Sequence, residues 1–181
     1  MRQELFICPA GAERQALAEM SSTEGGEERT GHSFGPDGTA TPFTFRTLGP
    51  TAYAAREQYG CLSARRFGID ELDVLGQHFG VDAPDWGDAR EADGALLVPF
   101  PPGFVTALAG MDPAEATNHV LNATGFVPPA PPPGIDVESL PPDVRASFSP
   151  DAGWGAFYAD LAALAARADA RGWRLWQVVF Y

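Results

Sequence analysis

Residues 154–181 constrain the fold more than any other stretch. Trp154, Phe157, Tyr158, Leu161, Leu164 and Ala168 recur at helical spacing, with Arg167 and Arg171 near the negative end of the helix and Gly172 to stop it. Ser149-Pro150-Asp151 is the expected start of that helix. The run from Trp173 to Tyr181 that follows is apolar on both faces apart from Arg174 and Gln177. A strand of this kind has no face to give to water, so it belongs in the interior of a sheet. Its natural partner is the other mostly apolar terminal run, Glu4 to Cys8, and the pairing would clamp the two ends of the chain together.

Between these ends the chain alternates helix and strand signals. Pro9 is placed to open a helix reaching about Met20, with Ala16, Leu17 and Met20 inward. Residues 21–42 hold five glycines, two prolines and four acids, with Phe34 as the main large apolar side chain, and read as a long mobile loop. Phe43 to Leu48 alternates apolar and polar residues, as a half-buried strand does, and a short helix from Thr51 to Tyr59 ends at Gly60. Asp70 is the expected cap of the next helix, with Ile69 stapled onto Val74, a stripe of Leu72, Leu75 and Phe79, and Gly80 at the end. A strand from Ala95 to Phe100 is closed by Pro101-Pro102, and a helix over about 104–109 follows. Asp112-Pro113-Ala114-Glu115 then combines a cap, a first-turn proline and an acid for a helix ending before Gly125. Eight of the 17 prolines fall in 127–150, which argues against regular structure there and predicts extended geometry over Pro128 to Pro133. Only about 30 residues follow, too few for a second core, so this segment is read as lying across the surface of one domain. The expectation is a single α+β domain over residues 1–181, with a small mixed sheet that includes both terminal strands and several helices packed on it.

Charge narrows function more than any motif does. There are 24 acids against 12 basic residues, all of them arginine, for a formal charge of −12. The absence of lysine excludes Schiff-base and phosphate-loop lysine chemistry, and the acidity argues against a nonspecific grip on nucleic acid. Abundant alanine, glycine, proline and arginine fit the coding bias of a GC-rich bacterial genome. Glu4 interrupts the short apolar run at the start, so no secretory signal is read, and no apolar run approaches a membrane span. With Cys8 and Cys61 as the sole cysteines, reduced thiols in the cytoplasm are expected.

Gly31-His32-Ser33-Phe34-Gly35 matches the GxSxG string of the α/β-hydrolase nucleophile elbow. Its flanks are a polar Glu24–Thr30 run and a Pro36-Asp37-Gly38 turn, where an elbow needs a buried strand and a helix. Cys61 precedes Arg65 and Arg66, which could lower its pKa, but Phe67 stands where a cysteine phosphatase loop needs arginine. His32, His78 and His119 form no metal-binding spacing, so no metal or other cofactor is expected; His119 follows Glu115 by four residues, a spacing open to a metal pair but more often that of an ordinary surface contact. Trp154, Trp173 and Trp176 read as packing residues. Asp82, Asp85, Asp88, Glu91 and Asp93 make the densest acidic run, relieved by Arg90, and Trp86 is an aromatic anchor within it. These six residues carry the functional expectation: a noncatalytic interaction protein of the immunity, antitoxin-like or accessory kind, docking a basic protein partner. Two alternatives stand beside it. One is a small hydrolase-type enzyme with a site near residues 25–38, drawing on His32 and Ser33 and, elsewhere, Cys61. The other is a structural subunit of a larger assembly, which an exposed apolar patch would mark.

Overall fold

The computed structural model describes residues 2–36, 38–64, 68–92, 94–127, 130–146, 148 and 153–180. Its centre is a five-stranded sheet in the order β4-β1-β7-β6-β5, formed by β1 (Arg2–Cys8), β4 (Leu62–Ser63), β5 (Arg90–Ala92), β6 (Ala95–Pro99) and β7 (Arg174–Phe180). The terminal strands pair from Arg2 opposite Phe180 to Cys8 opposite Arg174, and β7 also pairs with β6, so the last strand is the middle of the sheet. Every pairing is antiparallel. Alternation of buried side chains is the same in parallel and antiparallel strands, which is why sequence reading reached only a mixed sheet.

Helices cover both faces. On one side Leu5, Ile7 and Leu175 meet α3 (Ile69–Phe79), α4 (Pro102–Gly110), α5 (Pro113–Thr124) and α7 (Trp154–Arg171), through Leu72, Leu75, Phe104, Leu108, Val120, Tyr158 and Leu161. On the other, Phe6, Cys8, Leu97, Trp176 and Val178 meet α1 (Glu13–Met20) and α2 (Pro50–Tyr59), through Leu17, Met20 and Tyr59. Each fully buried Leu, Ile or Phe in these layers contributes about 1.5–3 kcal/mol of transfer free energy. Gln177, the polar exception on β7, is fully buried and donates from Nε2 to Gln3 Oε1 at 3.1 Å.

Four local expectations are corrected. The first helix starts at Glu13, because Gly11 at φ +85° cannot continue a helix from Pro9. Helix α3 is capped at Gly68, whose N–H donates to the Glu71 carboxylate at 2.8 Å, while Asp70 stands already inside the first turn. Residues 21–42 are not one long loop. They contain β2 (Glu28–Phe34), which pairs with β3 (Ala40–Arg46) in a separate hairpin closed by Gly35 N–H to Thr39 O at 2.9 Å. The hairpin exposes both its faces, so it leaves no buried period in the sequence for a reader to find. The Pro-rich stretch holds short α6 (Pro142–Ala146) and a 3-10 turn at Val137–Ser139, which Asp136 caps. Asp112 caps α5, and Gly60, Gly80, Gly125 and Gly172 end their helices in left-handed geometry, as expected. The expected helix start at Ser149-Pro150-Asp151 and the Pro128-Pro129 portion of the extended run lie outside the described residues, as does the side chain of the Ile69 staple. No helix of the described residues is long and apolar enough to cross a membrane.

Candidate functional site

A cleft of about 840 Å³ opens where the loop after α3 faces the junction of β6 and α4. One wall is acidic: Asp82, Asp85 and Asp88 come from the loop, and Asp73 from the exposed side of α3. The floor is apolar, built by Pro84, Trp86, Phe100 and three prolines, Pro99, Pro101 and Pro102. Arg174, the first residue of β7, adds a cation. The loop is held in shape by its own polar groups. Asp85 accepts from Gly87 N–H at 2.7 Å and caps the 3-10 turn Trp86–Asp88, and Asp88 N–H donates to Asp85 O at 3.1 Å. Prolines have their φ set in advance, so this part of the lining is stiff.

Sequence reading placed six residues at such a surface, and the fold brings four of them together: Asp82, Asp85, Trp86 and Asp88. Glu91 is not in the cleft; it lies on edge strand β5, opposite Leu96. Asp93 lies outside the described residues. Trp86 is not a protruding anchor: it is half-buried, with its Nε1 shielded from solvent. Asp73, Arg174 and the Pro99–Pro102 part of the floor were missed, since they stand 9 or more positions from Asp82 in sequence and only tertiary packing brings them in.

The catalytic candidates are dispersed. Gly31–Gly35 runs along β2 into its turn, so Ser33 sits in an extended strand, exposed, donating to Thr41 O at 3.3 Å, and not on a strand-to-helix elbow. His32 is exposed and faces Pro42 across the hairpin. Neither residue lines a described cleft. The Cys61 thiol is pushed up to about 12, first by burial and next by the Glu4 carboxylate beside it, against the opposing pull of Arg56. This is the reverse of an activated thiolate. Arg65 and Arg66, expected to act on Cys61, lie outside the described residues. What does surround Cys61 is a cluster that sequence reading missed: Glu4, 5% exposed, accepts from Arg2 Nε at 2.9 Å and from Arg56. Burial raises the Glu4 pKa, but the hydrogen bonds from Arg56 and then Arg2 overcome it and hold the carboxyl below its ordinary value.

The fold does bring two of the three histidines together. His78 on α3 and His119 on α5 meet with ring centroids 4.3 Å apart and planes tilted by 31°, and Glu115 approaches His78 Nε2 at 3.8 Å. Among the described residues no group of three or more His, Cys, Asp or Glu side chains is arranged to hold a metal ion. Compared with known protein families, curated proteins and solved structures, the chain finds no match.

Proposed function

We propose that this is a noncatalytic binding protein, of the immunity, antitoxin-like or accessory kind, which takes an extended basic segment of a partner protein in the Asp73–Asp82–Asp85–Asp88 cleft. The observation that carries the reading is the cleft's composition: four aspartates above a stiff floor of proline and aromatic side chains. Guanidinium and ammonium groups pair with the acidic wall while an apolar or proline-containing backbone lies on the floor. The formal charge of −12 extends the same preference over the surface and speeds encounter with a basic partner.

The test is calorimetric titration of a basic, proline-interrupted peptide into the wild type and into Asp82→Asn/Asp88→Asn. Asp85 is left intact because it holds the loop together. Affinity should fall about tenfold in the double variant, as loss of two partly screened ion pairs implies, and should weaken with salt in the wild type. The melting temperature should not move. Equal binding by both proteins, or binding indifferent to salt, removes the cleft as the site. Affinity capture from the host with the same pair of proteins then identifies the natural partner as the protein held by one and not the other.

A further inference from the structure

The hairpin stands apart from the acidic cleft and carries its own logic. Its base is anchored by Thr47 N–H to Glu27 O at 2.9 Å and Gly49 N–H to Ser22 O at 3.0 Å, and among the described residues its strands join no other sheet. Phe34 is 74% exposed, Phe43 48% and Phe45 42%. A lone two-stranded ribbon is marginal in water, and further strands on its edge would stabilise it.

Hydrogen-bond parity says which edge is open. Gly35–Thr39 and Glu27–Thr47 are hydrogen-bonded pairs at the two ends of the ladder. Bonded pairs alternate along an antiparallel ladder, so Arg29, Gly31 and Ser33 bond inward, while Glu28, Thr30, His32 and Phe34 direct their N–H and C=O groups outward. On β3 the outward positions are Ala40, Pro42, Thr44 and Arg46. Pro42, with no N–H, interrupts that edge at its middle. The β2 edge has no such guard.

We infer that the outer edge of β2 pairs antiparallel with the same edge of a second copy of this chain, joining two hairpins into a four-stranded sheet about a two-fold axis. With Thr30 opposite Thr30 of the second copy, Glu28 of each chain faces His32 of the other. One imidazole N–H donates to each carboxylate, and Thr–Thr and acid–base pairs are both favourable across strands. On the opposite face the same register sets Arg29 against the second copy's Gly31. That glycine is covered by the Phe43 ring, which a Cβ at position 31 would meet at 2.8 Å, so the guanidinium arrives beside an aromatic face. About six main-chain hydrogen bonds form along the join.

Charge argues for a second copy over an unrelated partner. Residues 28–46 carry Glu28, Arg29, Asp37 and Arg46, two acids and two arginines, so the segment is formally neutral and the whole −12 lies outside it. Self-pairing here brings together a segment without net charge, so the excess of acids elsewhere in the molecule is not concentrated at the contact. Pro42 on the far edge then stops further addition, so the contact closes as a dimer and does not propagate as a fibre.

The test is sedimentation equilibrium of the full chain over about 1–300 µM, the range proper to a small interface. The wild type should dimerise. His32→Pro deletes an outward N–H without touching the β2–β3 ladder and should leave a monomer. His32→Glu sets two like charges against each other and should weaken the dimer at least about tenfold. Glu28→Arg combined with His32→Glu restores opposite signs and should recover the affinity to within a few-fold. A wild type that stays monomeric throughout, a dimer untouched by His32→Pro, or a charge reversal that fails to restore His32→Glu overturns the proposal. The charge pair keeps the test decisive if the proline variant misfolds.

Discussion

Glu4 carries a charge that its position in the fold does not by itself favour. It is a carboxylate inside a sheet whose neighbours are Leu5, Phe6 and Ile7, and Arg56 from α2 and Arg2 make its burial tolerable. Replacing Arg56 by methionine keeps the aliphatic volume and removes the charge, leaving Glu4 on Arg2 alone. We expect a loss of about 2–4 kcal/mol at pH 7, measured by urea unfolding. The pH dependence has a definite sign. The arginines hold the folded pKa of Glu4 below its ordinary 4.5, so the stability this group contributes is complete above 4.5 and is lost as pH falls through the folded value. The gap between wild type and Arg56→Met should therefore narrow on acidification below 4.5; a gap of constant size would show that the pair is not ionic in its effect. The two cysteines yield a second residue-scale expectation. Burial pushes both Cys8 and Cys61 up to about 12, so at pH 8 iodoacetamide should leave the folded protein unmodified while adding twice to the denatured chain. Rapid single labelling of native Cys61 would reopen a catalytic role for it.

At the scale of elements, the hairpin shows what sequence pattern can and cannot carry. The alternation in Phe43–Leu48 points to a half-buried strand, and a strand, β3, does run over Ala40–Arg46, but it is exposed along its whole length, and β2 carries no strand pattern at all. A strand announces itself by one buried face, and Glu28-Arg29-Thr30-Gly31-His32-Ser33-Phe34 buries neither. Its position depends instead on two glycines at the base. A Cβ on Gly26 would stand 2.0 Å from Thr47 O, and one on Gly49 would stand 1.7 Å from Glu24 O. The constraint at Gly49 is contact, not backbone strain, since its φ of −84° suits any residue. Gly49→Ala should part the strands' base, raising amide exchange across residues 28–46 at least about tenfold while the five-stranded sheet keeps its protection. Unchanged exchange in the hairpin would mean that the base is not what holds it.

On the scale of the whole molecule, β7 is the element that everything else is laid upon. It takes β1 on one side and β6 on the other, and the helices of both layers pack against its two faces. Deleting residues 174–181 removes Leu175, Trp176, Val178 and Val179 from both cores at once, and the truncated chain should fail to fold. A soluble truncate with an unchanged melting temperature would defeat this account. The formal charge of −12 acts on the molecule as a whole as well. Self-repulsion among 24 acids and 12 arginines is relieved by screening, so the melting temperature should rise as sodium chloride goes from low to physiological strength.

Periodicity and punctuation in the chain itself determined the α+β class, the pairing of its two ends, the interior place of the last strand and most helix ends, because each rests on a local pattern of apolar spacing, glycine or capping acid. The acidic character of residues 82–88 was legible for the same reason. Tertiary structure alone decided that Asp73, Arg174 and the Pro99–Pro102 floor join those acids in one cleft, that Glu91 does not, and that Glu4 and Arg56 meet across 52 positions of chain. Those are contacts between segments whose separation in sequence carries no signal of their distance in space. Only packing against a shared sheet, with every buried charge seeking its partner, brings them together.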